Sequence, residues 1–243
     1  MILFFQNLFK EATLRLLQRE KGYRSALDPV LLANFITAEK NDRVIDLGTG
    51  NGIIAILTAL NYPKTRVTGI DIQDGLVELA EKNVAINGLE KRVEIKKLDI
   101  RKVASHLKAE SFDMAVGNPP YRKLERGRLN PDREKALARH EIEITLEEYL
   151  KASKYLVKNR GKVVLIYHPS RFTELIGLFE RLNIRTSRIQ FIHSKKDTEA
   201  TMVMVEGIKN GKNDTTVLKP LIVYERTGKY SKEVKEIFKK IGF

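Results

Sequence analysis

Residues 112–121 read FDMAVGNPPY, an apolar run that stops at Asn118, Pro119, Pro120 and Tyr121. Consecutive prolines have fixed φ and no N–H to donate. The turn is therefore stiff, and its carbonyls and the Asn118 amide stand outside any regular ladder. It offers hydrogen-bond acceptors beside an aromatic ring. A second group lies upstream, where Asp46-Leu47-Gly48-Thr49-Gly50-Asn51-Gly52 joins an apolar run to a helix-length segment. Glycines in that pattern let the backbone turn sharply and let a ligand approach with no Cβ in the way. The order D-x-G-x-G-x-G lacks the GxGxxG spacing of a dinucleotide fingerprint and the lysine of a P-loop. Asp71 and Asp99 close the next two apolar runs, and a carboxylate at Asp71 can take both hydroxyls of a ribose.

The elements that position these residues follow from periodicity. Val- and Ile-rich runs at 43–48, 66–72, 93–99, 112–118 and 161–168 alternate with helical patterns at 52–60, 74–87, 145–159 and 171–182. Such alternation predicts βαβ units, a parallel sheet and an α/β fold. In open α/β sheets ligands bind outside the carboxyl ends of the strands, where Asp71, Asp99 and Asn118 fall. The runs at 187–193 and 200–208 have no room for a helix between them and predict an antiparallel pair. The segment 217–225 and a helix near 231–241 complete the chain. Residues 1–20 are apolar but too short to span a membrane and lack a signal peptide's pattern. They are expected to form a docked amphipathic helix on a cytoplasmic protein, with no membrane partner. No repeat or Gly/Ser linker divides the 243 residues, so one domain is expected.

Composition narrows the chemistry. There is no cysteine, which removes disulfides, thiolate metal sites and Cys nucleophiles. The four histidines have no ligand spacing, and no metal is expected. The net charge of +13 is unevenly placed. Residues 1–121 hold 17 Lys and Arg against 15 Asp and Glu, whereas residues 122–243 hold 27 against 16, a net of +11. A basic excess suits a polyanion. Residues 122–142 carry seven Lys and Arg without a clear period and are expected to be a mobile loop.

VIDLGTGNGI, GIDI, KLDI and GNPPY, in that order and spacing, resemble the signature of class I S-adenosylmethionine-dependent methyltransferases that act on planar nitrogens. The resemblance implies a Rossmann-like, mostly parallel seven-stranded sheet with helices on both faces and a C-terminal antiparallel strand pair. It also implies S-adenosylmethionine as cofactor. Asp46, Gly48, Gly50 and Asn51 would line its methionine part. Asp71 would hold the ribose and Asp99 the adenine amino group, with Ile72 and Ile100 packing on the adenine faces. Asn118 would adjoin both cofactor and target.

That chemistry explains the stiff turn. The exocyclic amine of adenine is a weak nucleophile because its lone pair is delocalised into the ring. Acceptors placed out of its plane favour the more tetrahedral geometry of in-line attack. The Asn118 side-chain carbonyl and the Pro119 carbonyl form such a pair, Pro120 keeps it rigid, and Tyr121 gives the base a face to stack on. A glutamine amide nitrogen fits the same geometry, so this motif specifies an atom type and leaves the polymer open.

Further stretches, KGYRSALDPVLLANF (21–35), HPSRFTELI (168–176), FIHSKKDTEATMVMVE (191–206) and PLIVYERTGKYSKEV (220–234), are similar to bacterial tRNA1(Val) adenine-N(6)-methyltransferases. In that family a helix led by an aspartate, here Asp28, closes over the cofactor as part of an N-terminal segment (1–40). The resemblance implies a tRNA partner and methylation of adenine 37, beside the anticodon of a valine tRNA. Candidate RNA contacts are Arg122, Lys123, Arg126 and Arg128 after the turn, with Arg171, Lys195 and Lys196 on later loops. A release-factor glutamine methyltransferase would carry a helical domain before Asp46, and a DNA adenine methyltransferase a recognition region after Tyr121. A non-catalytic RNA-binding protein with a vestigial cofactor fold is the reading from another class, and the intact Asp46, Asp71, Asp99 and NPPY set opposes it.

Overall fold

The structure is a computed structural model that describes residues 2–3, 14–18, 27–119, 144–212 and 214–240. The chain opens with β1 (Ile2–Leu3), paired antiparallel with β2 (Leu17–Gln18). A strand pair at both ends of this stretch means that no unbroken helix runs through residues 1–20. The alternation Leu14 buried, Arg15 exposed, Leu16 buried has the period of an extended chain. Helix α1 (Asp28–Phe35) follows, with proline in its first turn, where a missing N–H leaves no bond unmade.

The βαβ units then appear in sequence: β3 (Arg43–Leu47), α2 (Ile53–Asn61), β4 (Arg66–Asp71), α3 (Asp74–Ile86), β5 (Val93–Lys97), a short α4 (Val103–His106) and β6 (Phe112–Gly117). After residue 143 come α5 (Leu146–Leu156), β7 (Val157–Tyr167), α6 (Phe172–Arg181), β8 (Ile184–His193) and β9 (Ala200–Lys209). Two-residue strands β10 (Thr216–Val217) and β11 (Leu221–Ile222) precede α7 (Lys232–Lys240). Thr145 and Glu148 cap α5 reciprocally, which fixes its start. Its end comes at residue 156 rather than 159, because β7 begins at Val157 and residues 158–161 bulge from its pairing with β6.

The sheet runs β5-β4-β3-β6-β7-β9-β8, with β10 and β11 both pairing with β8 at its far edge. Strands β3 to β7 are mutually parallel, and β9 is antiparallel to both β7 and β8. The architecture is the expected Rossmann-like one, with seven main strands and two short ones added by the 217–225 segment. Both faces are covered, so successive residues are buried on opposite sides. Val164, Ile166, Met202 and Met204 pack with α1, α2 and α7 on one face. Val163, Leu165, Val203 and Val205 pack with α5 and α6 on the other. Strand order reverses between β3 and β6, and the ligand crevice of such sheets opens there. At the far end of α1, the Phe35 carbonyl accepts from Arg188 Nη2 at 2.9 Å, while that guanidinium pairs with the buried Glu206 at 2.6 Å.

Candidate active site

Gly48, Gly50 and Gly52 have φ of 76°, 59° and 84°. These are left-handed values that residues with a Cβ rarely adopt, and they fold residues 48–52 tightly over the end of β4. The Gly48 and Thr49 amides both donate to the Ile70 carbonyl at 2.9 Å. Gly50 N–H donates to Asp71 Oδ2 at 2.9 Å, and Gln73 N–H donates to Asp71 Oδ1 at 2.9 Å. Asp71 therefore staples the glycine loop to its own strand and keeps acceptor capacity for a ligand. Burial raises its pKa, against the three backbone amides that lower it.

Asp46 is fully buried. Thr49 Oγ1 donates to its Oδ2 at 2.6 Å, while Oδ1 makes no hydrogen bond of normal geometry among the described residues. Burial pushes its pKa up to about 7, the Thr49 hydroxyl opposes this, and the nearby Asp71 charge adds to it.

The register β3–β6 pairs Asp46 with Val116. Two residues on, Gly48 and Asn118 follow the ends of these neighbouring strands at the same edge of the sheet. Asn118 Oδ1 is buried with no hydrogen-bond partner among the described residues, and Pro119 is buried behind it. Asp46 Oδ1, Asn118 Oδ1 and Tyr149 Oη are thus three buried oxygens near the switch point that make no hydrogen bond of normal geometry among the described residues. A buried acceptor left unmade costs about 1–3 kcal/mol, and a donor brought to these oxygens would recover it.

Gly117 places Asn118. A Cβ on Gly117 would collide with Tyr149 Oη and lie 2.8 Å from the Leu47 carbonyl oxygen. Tyr149 is fully buried, so neither obstacle can swing into solvent. Gly117→Ala is expected to destabilise the protein by about 1–3 kcal/mol, the range for overpacking. It is also expected to displace Asn118. Urea unfolding and turnover measured together test this, and a variant with wild-type values for both would show that the backbone relaxes freely.

The remaining candidates fall into three groups. Ile100 lies beside the loop, its Cδ1 3.9 Å from where a Gly48 Cβ would sit, and Ile72 follows Asp71 directly. Asp99 caps the turn after β5, but its carboxylate is committed: Arg101 Nε lies 3.0 Å from both oxygens and Nη2 2.7 Å from Oδ2, and Oδ1 also accepts the Arg101 amide at 2.9 Å. Arg101 lowers its pKa. Asp28 leads α1, which packs on α2, and burial raises its carboxyl pKa. Arg171 follows β7, while Lys195 and Lys196 follow β8; since β8 is antiparallel to β9 and β9 to β7, all three lie at the sheet edge that carries Asn118. Arg171 is held by Glu174 at 2.7 and 2.9 Å and stacks over Tyr167, whereas Lys195 and Lys196 are exposed. Pro120, Tyr121, Arg122, Lys123, Arg126, Arg128 and the basic 122–142 stretch lie outside the described residues.

Three supporting residues escaped the sequence reading: Thr49 on Asp46, Tyr149 behind Gly117, and Asn83, whose Nδ2 donates to the Asn51 carbonyl at 2.9 Å. Only Asn83 carried a signal, since Asn83 and Asn87 recur four residues apart on one helix face.

Among known families, the methyltransferase small domain matches residues 26–166 of this chain. A Porphyromonas gingivalis protein named tRNA1(Val) (adenine(37)-N6)-methyltransferase is 29% identical over 193 residues, covering 78% of this chain and 75% of that protein. A Bacteroides thetaiotaomicron protein of the same name is 25% identical, with 86% of each chain covered. A crystal structure from Agrobacterium tumefaciens, described as a predicted O-methyltransferase, superposes with a TM-score of 0.71 at 22% identity over 88% of this chain and 97% of its own; it shares the fold.

Proposed function

Since the chain belongs to the methyltransferase small domain family, we propose that it transfers a methyl group from S-adenosylmethionine to the exocyclic amine of an adenine in tRNA, acting as a single catalytic domain in the cytoplasm. The names carried by its relatives support adenine 37 of tRNA1(Val) as the target.

The observation that carries this reading is the buried Asn118 Oδ1, which has no hydrogen-bond partner among the described residues and lies at the end of β6 next to the switch point. S-adenosylmethionine supplies an electrophilic methyl on a cationic sulfur together with ribose, ammonium and adenine groups that donate hydrogen bonds. The residues present fit it. Asp71 keeps acceptor capacity for the ribose hydroxyls, and the orphaned Asp46 Oδ1 and the loop of Gly48, Gly50 and Asn51 suit the methionine end. Ile72 and Ile100 flank the adenine, and α1 with Asp28 closes the site. Asp99 can take an adenine amine only where Arg101 yields one of its four contacts.

Asn118 Oδ1 and the Pro119 carbonyl accept from the target amine and hold its nitrogen for in-line attack, while Tyr121 stacks on the base. Lys195 and Lys196 at the same edge, with Arg122, Lys123, Arg126 and Arg128, engage phosphates; Arg171 joins them by exchanging Glu174 for phosphate. An anticodon-loop adenine is already unpaired, so drawing it into the pocket costs less than opening a duplex.

The test offers radiolabelled S-adenosylmethionine with total tRNA, a release-factor glutamine peptide or adenine-containing DNA at one salt concentration, followed by nucleoside mass spectrometry. Label should enter tRNA as N6-methyladenosine. Transfer to the peptide or DNA instead would overturn the tRNA assignment, and no transfer to any acceptor would overturn the enzyme.

A further inference from the structure

Helix α3 carries a pair of asparagines that grip an extended segment by its backbone. Asn83 Oδ1 accepts from Leu17 N–H at 2.7 Å, and its Nδ2 donates to the Leu17 carbonyl at 3.1 Å. One helical turn later, Asn87 Oδ1 accepts from Arg15 N–H at 3.1 Å and its Nδ2 donates to the Arg15 carbonyl at 2.7 Å. The match is geometric. Four residues of helix rise about 6 Å, and two residues of extended chain rise about 6.6 Å. A residue's N–H and C=O point the same way in extended chain, so each amide side chain closes a ring with one residue. Leu14 and Leu16, pointing elsewhere, are buried in the core.

Asn83 has a second duty. It is fully buried, and its Nδ2 also donates to the Asn51 carbonyl, inside the glycine loop, at 2.9 Å. A carboxamide has two N–H bonds, and both are used here, one on the residue 17 carbonyl and one on the residue 51 carbonyl, while its oxygen takes the residue 17 amide. The same side chain therefore holds the 14–18 segment and one wall of the proposed cofactor loop.

We propose that Asn83 is a positioning residue that couples docking of the 14–18 segment to the conformation of the 48–52 loop, so that the docked segment favours cofactor binding and bound cofactor tightens the segment. The coupling is reciprocal by linkage. It rests on the reading of the glycine loop as the cofactor site. Asn87 grips the segment without touching the loop, and its Nδ2 also donates to the Asn83 backbone carbonyl at 2.7 Å. Its replacement therefore reaches the loop only through Asn83 and the segment, and loop exchange and ligand affinity are read separately.

The experiment compares wild type, Asn87→Ala, Asn83→Ala and the double variant, measuring S-adenosylhomocysteine affinity by calorimetry and amide hydrogen exchange at Leu17 and at Gly50 and Gly52. Asn87→Ala should weaken S-adenosylhomocysteine about fivefold, equivalent to the ~1 kcal/mol net worth of a hydrogen bond. It should also speed exchange in the loop. In the Asn83→Ala background the same change should have no further effect on affinity, a non-additivity that general loss of stability does not produce. Ligand should slow exchange at Leu17 in wild type and in Asn87→Ala, but not where Asn83 is replaced. If Asn87→Ala leaves both loop exchange and affinity at wild-type values, the coupling is wrong. Should the loop loosen while wild type fails to bind S-adenosylhomocysteine, the coupling stands and the cofactor reading falls.

Discussion

Asn118→Ala is expected to lower methyl transfer by about two to three orders of magnitude, the cost of losing one preorganised polar partner of a transition state. Affinity for S-adenosylhomocysteine should stay within a few-fold of wild type. The variant removes the buried Oδ1 that meets no partner among the described residues and leaves the glycine loop and Asp71 intact. Asp71→Ala should behave in the opposite way. It breaks the contacts to Gly50 and Gln73 and removes the ribose acceptor, so the ligand should weaken by about 1.5–3 kcal/mol, the range for hydrogen bonds to a charged group. Single-turnover rates at saturating cofactor, set beside calorimetric affinities, separate the two effects. Equal loss of cofactor affinity in both variants would refute this division of labour.

The second large effect concerns stability and pH. Asp46 has a pKa of about 7 in the folded protein against an ordinary value of 3.8. Below the lower value both states are protonated and the carboxyl contributes nothing. As pH rises from 3.8 to 7 the unfolded chain releases its proton while the folded protein keeps it, so folding loses about 1.4 kcal/mol per pH unit. Above that window the penalty is constant, at about 4 kcal/mol as an order of magnitude. Asp46→Asn should therefore stabilise the unliganded protein at pH 8 far more than at pH 4, and flatten the profile between them. Cofactor binding near pH 7 should release a proton from wild type as the ligand's ammonium stabilises the carboxylate, and Asp46→Asn should bind more weakly with no proton release. Urea midpoints across pH, with calorimetry in buffers of different ionisation enthalpy, measure both. Equal destabilisation by Asp46→Asn at pH 4 and pH 8 would mean that the Thr49 contact, not the buried charge, dominates.

Much of the site was legible before any coordinates because its parts are local. The glycines at 48, 50 and 52 make the sharp turn that their pattern implied, and each strand run ends within two residues of its observed end. Buried parallel strands need Val- and Ile-rich runs whatever they pack against, and a loop that must approach a ligand needs glycine. Asp46, Asp71 and Asn118 could be placed for the same reason: strand polarity alone sends their ends to one edge. Of the docked helix expected over residues 1–20, the described residues 2–3 and 14–18 are extended instead, because an apolar run satisfies a helix and an extended chain equally, and at 14–18 the partner decided. Here the asparagines of α3 offered a ladder that suits only extended backbone.

The sequence by itself determined the α/β order, the glycine loop, the acidic strand ends and the rigid turn at Asn118, since each depends on neighbours within a few residues. Tertiary structure alone decided that Asp46 is deprived of water, that Tyr149 stands behind Gly117, and that Asn83 joins residue 17 to residue 51. Burial and hydrogen-bond partnership belong to pairs of atoms that are distant along the chain, and only packing brings them within reach.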